Sequence, residues 1–335
     1  MVTRPRVLSG MRPTGALHLG HYHGALKNWV RLQDDHDCFF FVADWHALTT
    51  HYQEREVIER NVYDMVVDWL AAGVDPNRAT LFIQSRLPEH AELFTLLAMG
   101  TPLSWLERVP SYKHQITTQP NRDLATYGFL GYPLLQAADI LIYRANFVPV
   151  GEDQAAHVEV TREVARRFNH LYARGQAEPV LPEPAALFTE TSRLPGLDGE
   201  KMSKSADNTI EMREEPEVVA QKIRRMPTDP QRVRRTDAGD PARCPVWPLH
   251  QLYSSAETQA WAREGCTTAG IGCLDCKQPV IEAIQREQQP WRERAETYLS
   301  NPKQVHWIVE MGTERARTIA RQTMKDVREA MGLAY

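Results

Sequence analysis

Short apolar runs alternate with segments of helical spacing through the first half of the chain. Residues 6–9 (RVLS), 38–43 (CFFFVA) and 80–84 (TLFIQ) are strand-length apolar runs, which predict buried strands. Between them, residues 21–33 place Leu26, Trp29 and Val30 on one helical face, and residues 55–72 do the same with Ile58, Val62, Met65, Val66 and Leu70. Strands alternating with helices imply a parallel sheet with right-handed crossovers. Such sheets take ligands at the carboxyl ends of their strands, near the point where the strand order reverses. Whatever follows the first strand is therefore delivered to the ligand site.

Beyond about residue 187 the pattern changes. Pro182, Pro184 and Pro195 interrupt the chain, and long polar helices follow, among them 281–299 and 313–331, the latter with Ala316, Ile319, Ala320, Met324, Val327 and Met331 on one face. With 335 residues the chain can support two cores. The expectation is an α/β fold: a Rossmann-like parallel-sheet nucleotide-binding domain over 1–187, followed by an all-helical domain over 188–335. The N-terminal MVTRPRVLSG carries neither a secretion nor a transit pattern, and no apolar run has membrane-spanning length, which predicts a cytoplasmic protein without membrane contact. A net charge of -4 argues against a general nucleic-acid binder. A local basic face at Lys222, Arg224, Arg225, Arg232, Arg234 and Arg235 is a candidate exception, although alone it reads as solvated surface.

The first strand leads into residues 11–24, MRPTGALHLGHYHG. Pro13, Thr14 and Gly15 form a turn, and a helix opens near Leu19 or Gly20. Backbone N–H groups at a helix start attract anions, and His18 and His21 fall on one helical turn where both can donate to phosphate. Gly20 leaves room for a flat adenine ring. The rival reading is a metal site among His18, His21, His23, His46 and His51, but the spacings of zinc enzymes are absent, and ATP phosphates suit the turn better. Far downstream, residues 201–205 read KMSKS. Lys201 and Lys204 on a polar loop, with Met202 and Ser203 between them, suit a pyrophosphate charge that appears only during reaction.

HLGH followed about a domain later by KMSKS resembles the class I aminoacyl-tRNA synthetases. Residues 133–169, with AADIL and VPVGEDQ, resemble the tryptophanyl family of that class more specifically, as do 14–30, 41–50 and the C-terminal ERARTIARQTMKDVREAMGL. The resemblance implies activation of L-tryptophan with ATP, transfer to tRNA(Trp), and a homodimer. It implies ATP contacts from Thr14, Gly15, His18, Gly20, His21, Gly151, Asp153, Met202, Ser203, Lys201 and Lys204, usually with Mg2+. Asp139 would accept the indole N–H, Tyr132 and Gln154 would hold the α-amino group, Glu152 and Asp153 would shape the pocket, and Gln136 stands where a Met commonly lines it. His21 is typical of only part of the family, many of whose members have Asn there.

The chemistry of Asp139 supports this reading. Indole nitrogen is a donor only, so a selective site needs an acceptor, and a missing hydrogen bond discriminates by as much as about 10⁴ to 10⁵. The apolar setting LLQAADILIY makes an unpaired carboxylate costly, which points to a ligand partner. The interval between the ATP motifs has no room for a large hydrolytic insertion. Competing readings are a tyrosyl-tRNA synthetase, a small-molecule adenylyltransferase, and a silent relative that binds RNA or protein. Finally, Cys244, Cys266, Cys273 and Cys276, four of the five cysteines, gather in the helical segment, while Cys38 sits in a predicted strand as a packed thiol. In a reducing compartment they suit a metal centre, either zinc or a [4Fe–4S] cluster. Their arrangement resembles the iron–sulfur motif of a subset of the tryptophanyl family, with the cluster in the anticodon-recognition domain and basic residues such as Lys277 presented to the anticodon.

Overall fold

The computed structural model describes residues 4–118, 123–151, 155–188 and 194–335. The three predicted strands form as β1 (Arg6–Met11), β2 (Asp37–Val42) and β3 (Ala79–Ile83), joined by β4 (Phe147–Val150) and β5 (Ala185–Phe188). All pairings are parallel, in the order β3-β2-β1-β4-β5. The order reverses between β1 and β4, which makes their carboxyl ends the switch point of a Rossmann-like sheet. Pro149 hides β4 from sequence reading, since an inner strand rarely tolerates a missing donor. The β1–β4 ladder is registered only at Val7–Phe147, so Pro149 lies beyond it.

The helix predicted to open near Leu19 does so. α1 (Leu19–His21) runs through a π-helical stretch at Tyr22–Leu26 into α2 (Lys27–Leu32). Helices α3 (Asp44–His51) and α4 (Arg55–Ala72) follow, then α5 (Glu89–Ala98), α6 (Leu103–Glu107), α7 (Pro110–Thr118), α8 (Tyr127–Ile142) and α9 (Ala155–Tyr172). Beyond β5 the described chain is helical: α10 (Pro216–Arg225), α11 (Trp247–Tyr253), α12 (Ala256–Thr267), α13 (Cys273–Leu299) and α14 (Pro302–Ala330).

The helical part shares its cores with the sheet. One buried cluster joins Val7, Trp29, Phe40 and Trp69 to Ile281, Ile284 and Trp291, and a second joins Leu8, Phe39 and Phe82 to Ala316, Met324 and Val327. The stripe foreseen on α14 is thus real, and it is laid against β3. Gly312 permits that approach, since a Cβ there would stand 2.0 Å from the Leu81 carbonyl oxygen. No described helix is long and apolar enough to cross a membrane.

Candidate functional site

The two motifs, far apart in sequence, meet at the end of β1. His18 adopts an extended backbone before α1, and its N–H donates to His21 Nδ1 at 3.2 Å, which brings the two rings to 3.7 Å between centroids. Backbone hydrogen bonds Leu19 N–H to Ile210 O and Met212 N–H to Leu17 O pin this turn to the segment just after KMSKS. Lys204 then reaches back, its Nζ donating to the Gly15 carbonyl at 2.5 Å. Arg213 adds a side-chain tie, pairing with Asp64 and Asp68 of α4 at 2.6 and 2.5 Å, while Asp68 also accepts from the Leu17 N–H. Neither Arg213 nor Asp68 stands out in the sequence, because their partnership exists only in the fold.

Burial sets the charge state here. It lowers the pKa of His18 to about 4, with Lys204 contributing, and lowers His21 well below its ordinary value, with His18, Lys204 and Arg12 contributing. Both rings are neutral hydrogen-bonding groups near pH 7. His18 Nδ1 is buried and has no protein partner, so a polar atom is left for a ligand. Burial also lowers Lys204 to about 8, opposed by Asp68 and reinforced by Arg12. At Gly20 a Cβ would meet the His18 ring at 2.9 Å, with Met202 behind it, so the position takes no side chain. Lys201 is exposed and paired through its backbone with Pro195, whereas Lys204 is half-buried. Asn208, singled out by no motif, organises the KMSKS loop. It is buried, accepts the Ser203 N–H at 2.8 Å, and donates to Asp198 and the Lys201 carbonyl.

A cavity of about 420 Å3 opens at the switch point, between Ser9 and Gly10 of β1 and Val148 to Gly151 of the β4 end. Arg12 and Asn28 line it toward the HLGH turn, and Phe41, His46, Phe129, Tyr132, Gln136 and Asp139 line its other walls. Asp139 is 1% exposed, yet it is well supplied with partners. His46 Nε2 donates at 2.7 Å, His90 Nδ1 at 2.6 Å, and Gln84 Nε2 spans both oxygens at 2.9 and 3.0 Å. Burial raises the Asp139 pKa, but the hydrogen bonds and charges of His46 and His90 outweigh it, and the carboxyl titrates below its ordinary value. A ligand is therefore not required to satisfy this carboxylate, contrary to the sequence argument. A carboxylate has about four acceptor positions, and each oxygen already takes one histidine and a share of Gln84, so a ligand donor would have to take the place of one Gln84 contact. Tyr132 and Gln136 are linked through Ser111 of α7 and His157 of α9 by contacts of 2.5 to 2.7 Å. Thr14 is half-buried in the turn before His18, and Ser203 is half-buried beside Lys204. The expectations for Glu152, Asp153 and Gln154 lie outside the described residues.

The four cysteines of the helical part are all free thiols. Cys276, in a thiol environment of Cys244, Cys266 and Cys273, is raised to about 12, first by burial and then by those three groups, and its Sγ lies 3.4 Å from His250 Nε2. Among the described residues, however, no three His, Cys, Asp or Glu side chains stand in metal-holding geometry. Cys38 is packed in β2 as expected, raised to about 12 by burial. Lys277 corrects an expectation. It is 3% exposed and caps the end of α10, donating to the carbonyls of Arg224 and Met226 at 2.8 and 2.6 Å, so it cannot face an anticodon. The basic run is also partly structural: Lys222 pairs with Glu214, and Arg232 is buried against the carbonyls of Arg235 and Ile271.

Residues 2–287 match the family described as tRNA synthetases class I (W and Y). With that match, the parallel sheet and the joined HLGH and KMSKS segments, the chain belongs to the class I aminoacyl-tRNA synthetases of this tryptophan and tyrosine group. A tryptophan–tRNA ligase of Ralstonia nicotianae is 58% identical, aligned over 98% of this chain and 99% of its own length, and one of Thermotoga maritima is 50% identical over 98% and 100%. A crystal structure of Campylobacter jejuni tryptophanyl-tRNA synthetase complexed with ADP and tryptophan superposes with a TM-score of 0.87 at 32% identity, covering 98% of this chain and all of that one. Within the group, the chain belongs to the tryptophan–tRNA ligases.

Proposed function

We propose that this chain couples L-tryptophan to ATP and then to tRNA(Trp). A carboxylate oxygen of tryptophan attacks the α-phosphorus of ATP, the bond to the bridging oxygen breaks, and pyrophosphate leaves. The terminal ribose hydroxyl of tRNA then attacks the activated carbonyl, an ester forms, and AMP leaves. The observation that carries this reading is the joining of Lys204 to Gly15 beside the unpartnered His18 Nδ1, in the same turn after β1 whose Arg12 lines the cavity that Asp139 also lines. In it, Thr14, Gly15, His18, Gly20, His21, Gly151, Asp153, Met202 and Ser203 contact ATP, and Lys204, with Lys201 drawn in, stabilises the leaving pyrophosphate. Mg2+ would accompany the ATP and would supply charge neutralisation at the triphosphate. Asp139 accepts the indole N–H in place of one of the two contacts it shares with Gln84, while Tyr132 and Gln154 take the α-ammonium group and Gln136 lines the pocket. The test is ATP-dependent attachment of labelled tryptophan to tRNA. Charging is expected, and adenylate formation without transfer to tRNA would overturn the second half of the reaction.

Two finer readings accompany this one. Cys244, Cys266, Cys273 and Cys276 bind a [4Fe–4S] cluster, with zinc as the alternative; four thiols that perturb one another fit such a donor set, although they must draw closer to ligate. The cluster would hold a loop of the anticodon-binding part and supplies no step of the reaction. About four irons per anaerobically purified chain support it, and stoichiometric zinc without iron rejects it. The chain also works as a cytoplasmic homodimer, which sedimentation tests directly.

A further inference from the structure

Tyr132 and Gln136 stand one turn apart on α8, and both line the cavity. Their polar ends are joined by residues of two other helices. Ser111 Oγ lies 2.5 Å from the Tyr132 hydroxyl and 2.6 Å from His157 Nε2, while His157 Nδ1 lies 2.7 Å from Gln136 Oε1. His157 itself is 6% exposed.

The direction of each hydrogen bond follows from the chemistry of the atoms. An amide oxygen can only accept, so His157 Nδ1 carries a hydrogen and donates to Gln136. In a neutral imidazole Nε2 is then an acceptor, and the Ser111 hydroxyl donates to it. With its own hydrogen engaged, Ser111 Oγ accepts from Tyr132. The Tyr132 hydroxyl thus turns lone pairs, and no hydrogen, toward the cavity. An acceptor there suits an ammonium group. The opposite tautomer would reverse the chain and make Tyr132 a donor, suited to a carboxylate.

We infer that His157 is a positioning residue that, acting through Ser111, holds Tyr132 as the hydrogen-bond acceptor for the α-ammonium group of the amino-acid substrate. The inference rests on the reading of the cavity as the tryptophan site. Its rival is that the four side chains merely pack α7, α8 and α9 together, in which case their loss affects every ligand of the cavity alike.

Two fragments of tryptophan separate these cases on the full chain. Tryptamine keeps the ammonium and lacks the carboxylate; indole-3-propionate keeps the carboxylate and lacks the ammonium. In His157→Phe and Ser111→Ala, tryptamine binding is expected to weaken by about tenfold or more, as for a lost charge-assisted hydrogen bond. Indole-3-propionate should change by less than about twofold on the same scale. The KM for tryptophan should rise while that for ATP stays put, and Ser111→Thr, which keeps the hydroxyl, should retain tryptamine binding. Equal weakening of both fragments, or no change in either, overturns the inference. If the unaltered chain binds neither fragment and shows no tryptophan-dependent exchange, the cavity reading has failed first and takes the inference with it.

Discussion

The two halves of the site are built on opposite principles. The nucleotide half is held by backbone pairing between HLGH and the segment after KMSKS, and its side chains are left with work to do: His18 Nδ1 has no partner, and Lys204 is half-buried against a carbonyl with its pKa lowered. The amino-acid half is nearly closed on itself, with Asp139 held by His46, His90 and Gln84, and Tyr132 by Ser111 and His157. A group that meets charge only in the transition state gains from being incompletely satisfied beforehand. A group that must tell indole from phenol gains from being fixed beforehand.

Five substitutions press on this contrast. Lys204→Ala should slow adenylate formation by about 10² to 10³ while leaving ATP binding nearly unchanged, since the charge it stabilises appears only as the bond breaks. Single-turnover rates beside equilibrium ATP binding check this; normal turnover with a raised ATP KM would show that the lysine binds uniformly. Because burial lowers the Lys204 pKa to about 8, the lysine is charged below that pH and neutral above it. The kcat/KM for ATP, which reports the free enzyme, should fall as pH rises through about 8, and Lys204→Arg should remove that limb.

In the closed half, Asp139→Asn should reduce folding stability by about 3 kcal/mol, because it removes the buried charge and turns an amide NH2 toward one of the two histidine donors, and should erode selectivity for tryptophan with ATP binding intact. Chemical denaturation and exchange kinetics measure both; unchanged selectivity would remove Asp139 from the pocket. The sign with pH is also fixed. The Asp139 pKa lies below its unfolded value, so its contribution to stability is full at neutral pH and is lost as pH falls through the folded pKa, below the ordinary carboxylate range.

Asn208→Ala should slow adenylation by about tenfold, since it frees the loop that carries Lys204 without touching the cavity; a rate within error of the unaltered chain would make the loop self-supporting. The smallest effect is expected at Cys244→Ser, which should abolish metal content yet leave tryptophan-dependent exchange within about twofold, measured as metal analysis beside exchange.

This contrast also governs what could be read from the sequence. HLGH and KMSKS are contiguous, so both their identity and their meeting were legible, and Asp139 was marked by its own neighbours. His46, His90, Gln84, Ser111 and His157 were not, because each lies on a different helix or turn and acquires a partner only when the sheet assembles them. The same reason hid β4, whose Pro149 sits just past its ladder with β1, and the docking of α14 on β3, since an amphipathic stripe says that a face is buried but not against what. Lys277 reads as a surface charge until the open carbonyls at the end of α10 are placed beside it.

The selection of tryptophan by a preorganised Asp139 is the claim on which the account turns. It is tested most directly by amino-acid-dependent ATP–pyrophosphate exchange with the unaltered chain across the twenty common amino acids. The account predicts rapid exchange with tryptophan alone, and comparable exchange with tyrosine or phenylalanine would contradict it.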